Sequence, residues 1–436
     1  MKTKELLVFV EDQHCGTLRE DGHGKHSFTY DFRQGIPPQL SLSMPLRAEP
    51  WTGKPIEAFI DGILPDSPAM RKRIATLYDV NANNPFALLT AIGLDCAGGT
   101  QFVHPEDADT FRQNATLRPI SETEIENRLH AISGNAGASW QINDEHWSLN
   151  GAQDKIALRF ADEQWYEALG SAATTHIIKP GIGNLHEQAF NEYVCMKAIH
   201  ALDIPSAASD FHLFGNLPAL VSTRWDRTLM PLPDGTTTIQ RIHQEDMCQA
   251  MAYMTAEKYQ SDGGPGAIDI INCLRNNNLD EANVTLFHIA LILNFLMAGT
   301  DAHAKNYAIL EPVGQRPRLA PLYDIASMFA YTTQRKQRKL AMSIGGEYNY
   351  ERIELRHWQR LAAATRSSDF DILQLLLYRY ATLLPDAFHD AGAQALALSR
   401  DALGAEPATQ HDREQLINRI QQGIGTQCAQ ALKWFA

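Results

Sequence analysis

Apolar and polar positions alternate loosely in ELLVFVED (5–12), break at Gly16 and return in the aromatic-rich HSFTYDF (26–32). That pattern predicts short strands at the start of the chain. Over 75–94 the spacing turns helical and stops at Gly93 and the tripeptide AGG (97–99), a natural boundary. Residues 1–104 therefore read as a β-rich unit with one or two helices. The segment 105–145 reads as a connection with one helix over 121–132, opened by SETE. There Ser121 can accept from a free helix N–H while Glu124 reaches back. The runs IALRFAD (156–162), WYEALG (165–170) and TTHIIKP (174–180) predict strands. A helix follows over 187–202, then the strands FHLF (211–214) and PALVSTRW (218–225). From about 244 onward the pattern is almost entirely helical. The expected architecture is α+β and two-lobed, with units at 1–104, 105–240 and 241–436, the last all-helical. No internal repeat or low-complexity run interrupts it.

Composition narrows the functional classes. The chain has 436 residues with 38 basic and 51 acidic side chains, a formal charge of −13. A duplex-DNA binder neutralises phosphates with a basic face, so direct DNA contact by this chain is disfavoured, whereas docking on a basic partner is not. The six cysteines, at 15, 96, 195, 248, 273 and 428, form no CxxC pair. Their spread predicts neither a zinc site nor a disulfide framework and suits a reducing compartment. The apolar start is too short for a signal peptide, and the longest apolar stretch, 286–298, is broken by His288 and Asn294. It falls short of the roughly 18–20 residues a span requires. The expectation is a cytoplasmic protein with no membrane segment.

Four segments carry chemistry. In GTDAHAKNY (299–307), Asp301 and Asn306 stand five apart. A protein-kinase catalytic loop has that spacing, because a carboxylate must orient the substrate hydroxyl while an amide oxygen further along holds a metal. Lys305 adds positive charge beside a transferring phosphoryl group. A polar helix end capped by Asp301 explains the same residues. PLYDIAS (321–327) delivers a lone Asp324 in the order in which kinases place a metal-binding aspartate, without the D-F-G that usually carries it. HIIKP ends a β-branched strand with Lys179, placed to reach phosphates, and the next helix offers Glu187 and Glu192, of which Glu192 is the choice to orient it. SLNGAQDKIAL (148–158) contains a small-residue turn, Gly151 and Ala152, whose amides suit phosphates. An ordinary hairpin turn explains it equally well. His303 reads better as a structural hydrogen-bonder than as a base. Glu245 and Asp246 read as acidic residues opening a helix. The basic run Arg335, Lys336, Arg338 and Lys339 fits either a substrate-facing loop or a solvated one.

With those residues in order, the chain resembles the HipA family, the kinase toxins of bacterial toxin–antitoxin pairs. The matching stretches are SLSMPL (41–46), FIDGILPDS (59–67), IGLDCAGGTQFVHPED (92–107), NGAQDKIAL, HIIKPG, NEYVCMKA (191–198), STRWDR (222–227), RIHQEDMCQA (241–250), TDAHAKNY and PLYDIAS. They cover nearly the whole chain. The resemblance implies an ATP- and Mg2+-dependent serine/threonine kinase with Asp301 as base, Asn306 and Asp324 as magnesium ligands and Lys179 on the phosphates. Gly151, Ala152, Gln153 and Lys155 would form the nucleotide loop. Thr223, Arg224 and Trp225 would form the hinge against adenine, with Asp226 near the ribose. It also implies autophosphorylation at Ser148 as an off-switch, a HipB-like antitoxin with a DNA-binding helix-turn-helix, DNA contact mainly through that antitoxin, and a protein substrate such as glutamyl-tRNA synthetase. Ala302 stands where the family commonly has glycine, and Thr223 where an acidic residue is familiar. A small-molecule phosphotransferase on the same scaffold and a non-catalytic corepressor held by an antitoxin are the competing readings.

Overall fold

A computed structural model describes residues 4–134, 146–149, 151, 153–183, 185–231, 237–331 and 338–436. Its first unit is a five-stranded sheet with strand order Trp51–Thr52, His26–Tyr30, Gln13–Glu20, Lys4–Val10 and Thr100–Val103. Alternation along Gly16–Glu20 and His26–Tyr30 puts Leu18, Phe28 and Tyr30 inward, and a register shift opposite Val8 and Phe9 brings Cys15 into the same core. The helices Lys54–Ile63, Pro68–Leu77 and Pro85–Ile92 cover that apolar face. The helix expected over 75–94 is two helices. Asp79 takes a left-handed φ of 52°, and Pro85, lacking an N–H, starts a new helix that the Asn84 side chain caps.

The second sheet has six strands in the order Ser209–Phe214, Leu217–Thr223, His176–Pro180, Ile156–Ala161, Gln164–Leu169 and Thr116–Pro119. Every registered pair in it is antiparallel. One apolar core runs from Leu6 and Phe59 through Ile156, Leu158 and Ile178 to Phe214 and Val221, so the first unit and this sheet are packed into one body. The short parallel pairing of Asp95–Cys96 with Trp147–Ser148 stitches the two together. On the connecting segment, the helix Glu122–Gly134 starts as SETE requires, with Ser121 Oγ accepting from Glu124 N at 3.3 Å and Glu124 Oε2 accepting from Ser121 N at 2.9 Å.

A second core holds the remainder. It gathers the helix Gln188–His200, the apolar Glu281–Met297 and the long helices Asp369–Ala397 and Pro407–Leu432 around Phe287, Phe295, Trp358 and Phe388. This region, expected to be all-helical, also carries two small sheets. Gln244–Asp246 pairs with Ala308–Leu310, which pairs with Arg318–Leu319, and Lys339–Ile344 pairs with Glu347–Asn349. Apart from the six-residue Lys339–Ile344, these strands have two or three residues, too few to leave a period in the sequence. All six cysteines are free thiols, and no helix among the described residues is long and apolar enough to cross a membrane.

Candidate active site

Between the two cores lies a cleft of about 640 Å³. Lys179 enters it from the strand His176–Pro180, held in register opposite Leu220, with only 7% of its surface exposed. A buried ammonium requires countercharge. It receives two: Glu192 Oε1 at 3.2 Å, from the helix Gln188–His200, and an ion pair with Asp324. Gln188 Nε2 donates to the other Glu192 oxygen at 3.1 Å, which fixes the glutamate's rotamer. The same helix places Asp324 indirectly. Asn191 Nδ2 donates to Ser327 O at 2.8 Å, and Ser327 N donates back to Asn191 Oδ1 at 3.0 Å. Asp324 itself sits at φ 56°, a left-handed conformation that a short polar side chain tolerates.

The apolar helix Glu281–Met297 ends at Ala298 with φ 52° and turns at Gly299, where a Cβ would lie 2.1 Å from Asn294 Oδ1. That close approach requires glycine and delivers the next residues to the cleft. Asp301 is exposed, and its Oδ1 accepts from Tyr259 Oη at 2.6 Å. Its carbonyl accepts from His303 N at 2.7 Å and from Asn306 Nδ2 at 3.0 Å, closing a tight loop over the turn Ala304–Asn306. The Asn306 amide oxygen is thereby the atom left to face a cation. His303 is buried edge-to-face on Tyr259, 4.9 Å between centroids, and burial pushes its pKa down to about 4 against the pull of Asp301. A ring that is neutral at pH 7 and packed this way orients the loop.

Lys305 is buried behind the loop. Its Nζ lies 3.0 Å from Asp246 Oδ2, donates to Gly62 O at 3.1 Å and lies 3.6 Å from Asp66 Oδ1. Burial opposes its charge, but Asp246 and Asp66 outweigh burial and hold its pKa above the ordinary lysine value. Asp246 also caps the short helix Met247–Ala250, as the acidic pair predicted, whereas Glu245 lies in a strand and accepts from Leu42 N at 2.7 Å.

In the 148–155 stretch, Ser148 is fully buried and its hydroxyl donates to Ile63 O at 3.0 Å. Gly151 has φ 105° and its N–H donates to Asp66 Oδ1 at 3.1 Å. That amide therefore does not face the phosphates as the sequence suggested. Ala152 lies outside the described residues, as do Arg335 and Lys336 of the basic run. Gln153 Nε2 donates to Pro180 O at 2.8 Å, tying the turn to the Lys179 strand. Lys155 borders the cleft near Lys179, and burial, then that neighbouring charge, push its pKa down to about 7. A triphosphate would restore its proton.

Toward the far wall, Thr223 is exposed at the end of its strand, its N–H donates to Ala208 O at 2.9 Å, and it does not border the cleft as its neighbours Ser222 and Arg224 do. The Trp225 ring stands 4.8 Å from that of Tyr323 and its Nε1 donates to Gln244 Oε1 at 2.8 Å. Arg224 and Asp226 border the cleft, yet their charged ends turn into a buried cluster with Asp95, Arg227 and Arg241. Asp226 Oδ2 accepts from Gly98 N at 2.7 Å and pairs with Arg224 Nη2 at 2.7 Å, so no carboxylate oxygen is left for a ribose. No pattern in the sequence points to a role for Asp66, Lys258 or Tyr259. Asp66 precedes a Ser67–Pro68 helix start and reads as a turn residue, and KYQSDGGPG (258–266) has no periodicity.

The donor set suits nucleotide-bound magnesium: one carboxylate, Asp324, and one amide oxygen, Asn306, around phosphates and waters. Among the described residues no three His, Cys, Asp or Glu side chains are grouped to hold a metal without such help.

Comparison with known proteins supplies the family. The family model for the HipA-like C-terminal domain matches residues 147–384, and that for the HipA N-terminal domain matches residues 6–103. The chain belongs to the HipA family. It is 30% identical to the serine/threonine-protein kinase toxin HipA of Shewanella oneidensis over 97% of both chains. It is 32% identical to the putative kinase Y4mE of Sinorhizobium fredii, over 92% of this chain and 94% of that one. Its fold matches a chain in the Shewanella oneidensis complex of HipA, HipB and operator DNA at a TM-score of 0.81, with 24% identity and 98% of both chains covered. This is a HipA-family serine/threonine kinase by descent.

Proposed function

We propose that the chain uses ATP and Mg2+ to phosphorylate a serine or threonine hydroxyl on a protein. One observation carries the reading: Lys179 is bound to Glu192 and Asp324 at once, the strand-lysine, helix-glutamate and metal-aspartate set of a kinase poised for nucleotide. Bound magnesium would neutralise charge developing on the transferred phosphoryl group. Lys179 and Lys155 hold the α- and β-phosphates, and Trp225 and Tyr323, packed on each other, border the pocket for the base. Asp301, fixed by Tyr259, orients the attacking hydroxyl and takes its proton through the oxygen that Tyr259 leaves open. Lys305, spent on Asp246 and Asp66, supports the catalytic loop from behind.

In the cell this activity belongs to the toxin of a toxin–antitoxin pair, with a HipB-like antitoxin supplying most of the DNA contact. The acidic chain complements a basic, DNA-binding partner. The substrate is a translation component, glutamyl-tRNA synthetase by family resemblance, and the location is cytoplasmic. Ser148 is the autophosphorylation site and off-switch. Its hydroxyl is buried against Ile63 O, where a doubly charged phosphate has no room, so modification requires the segment to leave its place.

Labelled ATP with magnesium tests the reading on wild type, Asp301→Asn and Ser148→Ala, with sites mapped by mass spectrometry. Label on Ser148 in wild type and none in Asp301→Asn is expected. No label in any form, from protein unmodified at Ser148, would leave a binding module without catalysis.

A further inference from the structure

The nucleotide loop is held from behind by a different part of the chain. After the helix Lys54–Ile63 the backbone runs extended through Leu64 into Pro65 and Asp66 before Ser67 caps the next helix. Three hydrogen bonds tie this turn to the loop. Ser148 Oγ donates to Ile63 O at 3.0 Å, Asp66 N donates to Gly151 O at 3.2 Å, and Gly151 N donates to Asp66 Oδ1 at 3.1 Å. The last two form a reciprocal pair that fixes Gly151 in its φ of 105°, a conformation with little intrinsic preference for this one place.

The Asp66 carboxylate reaches further. Its Oδ2 lies 2.9 Å from Lys258 Nζ and its Oδ1 lies 3.6 Å from Lys305 Nζ. Burial favours its neutral form, but Lys305 and Lys258 outweigh that and hold its pKa down to about 2. Lys305 belongs to the loop that carries Asp301. Lys258 is followed by Tyr259, which grips Asp301. Asp66 is 6% exposed in its side chain and is not among the residues bordering the cleft. It cannot touch nucleotide, yet it contacts the phosphate turn and both elements that hold the base.

We infer that Asp66 is a positioning residue through which the N-terminal unit holds Gly151 at the cleft and couples it to the catalytic loop. The inference deepens the kinase reading and rests on it. The N-terminal unit then sets nucleotide affinity without supplying a charge to the phosphates. Anything that displaces the 63–66 turn, a bound partner included, would loosen the nucleotide site.

The test compares wild type, Asp66→Ala and Asp66→Asn in two measurements: affinity for adenylyl-imidodiphosphate with magnesium, and amide hydrogen exchange of the peptide spanning 146–155 without nucleotide. Asp66→Ala is expected to weaken the analogue about tenfold and to speed exchange by a similar factor, the scale of losing charge-assisted hydrogen bonds. Asp66→Asn keeps an acceptor for Gly151 but no charge for the lysines, and falls between. Glu20→Gln, which loosens an ion pair elsewhere in the same unit, serves as control and is expected to leave both readouts unchanged. Wild-type affinity or wild-type exchange in Asp66→Ala overturns the inference, as does an equal effect of Glu20→Gln. A wild-type chain that binds no analogue removes the kinase reading and this inference together. Should Asp66→Ala fail to fold, Lys258→Met provides the same readouts with a smaller expected rise in exchange, and no rise overturns the coupling.

Discussion

Two charge clusters stand side by side and behave in opposite ways. The first joins Asp95 and Asp226 to Arg224, Arg227 and Arg241, and each of these side chains is at most 7% exposed. Guanidinium donors not spent on the two carboxylates reach backbone carbonyls, Cys96 O, Gly98 O and Ser171 O, and Arg227 Nε alone of them is buried without a partner among the described residues. Thr174 satisfies Asp95 from the other side through its N–H at 3.0 Å and its hydroxyl at 2.7 Å. This cluster is closed on itself. The second, around Lys179, is open: Asp324 keeps 31% of its side chain exposed and Asp301 has a phenol for company. The lesson is that charge does not mark function, whereas charge with unfilled coordination does.

That contrast can be broken at either end. Removing the carboxylate in Asp95→Ala leaves three buried guanidinium groups around a single carboxylate, that of Asp226, and is expected to cost about 3–5 kcal/mol of stability in urea unfolding. Asp301→Asn is expected to unfold at the wild-type urea concentration while phosphotransfer falls about 10²–10⁴-fold. A stability loss in Asp301→Asn comparable with that of Asp95→Ala would erase the distinction.

A third cluster sharpens it, being buried without countercharge. Glu245 and Glu311 face each other where the N-terminal unit meets the small C-terminal sheet. Burial pushes Glu245 up to about 7 and, with the Glu245 charge beside it, holds Glu311 well above the carboxylate range. Both are raised, so the folded state binds protons that the unfolded chain has released. Their contribution is complete below the unfolded carboxyl range and is lost as pH rises through about 7. Glu311→Gln is expected to flatten the fall in stability between pH 5 and 8 relative to wild type, and comparing the two slopes cancels the buried histidines. An unchanged slope would show that the pair shares no proton. The smallest effect belongs to Tyr259→Phe, which frees Asp301 without touching its charge. A loss of roughly tenfold or less in phosphotransfer, with unchanged nucleotide affinity, is expected from one hydrogen bond of about 1 kcal/mol.

The parts of this layout legible in the sequence are those with local causes. The SETE cap, the β-branched approach to Lys179 and the Asp301-to-Asn306 spacing each act over a few residues, and each segment lies where its pattern puts it. What pattern could not reveal are partnerships over distance. Arg224 and Asp226 resemble nucleotide contacts until Asp95 claims the arginine and Gly98 N the aspartate, each more than a hundred residues away. Asp66 looks like a turn until Gly151, Lys258 and Lys305 converge on it. The Asn84–Pro85 break did have a local cause, but the apolar spacing on both sides of it imitates one continuous helix.

The left-handed backbone at Asp324 bears on descent as well as on chemistry. Most side chains would strain that position, but asparagine occupies it nearly as readily and has the same size, and a single base change converts one codon into the other. A lineage taking that step would lose a charge and keep its backbone, both cores and every surface offered to a partner. On the proposed role of Asp324, a silent relative is therefore one base change away, at the loss of one of the two countercharges on Lys179.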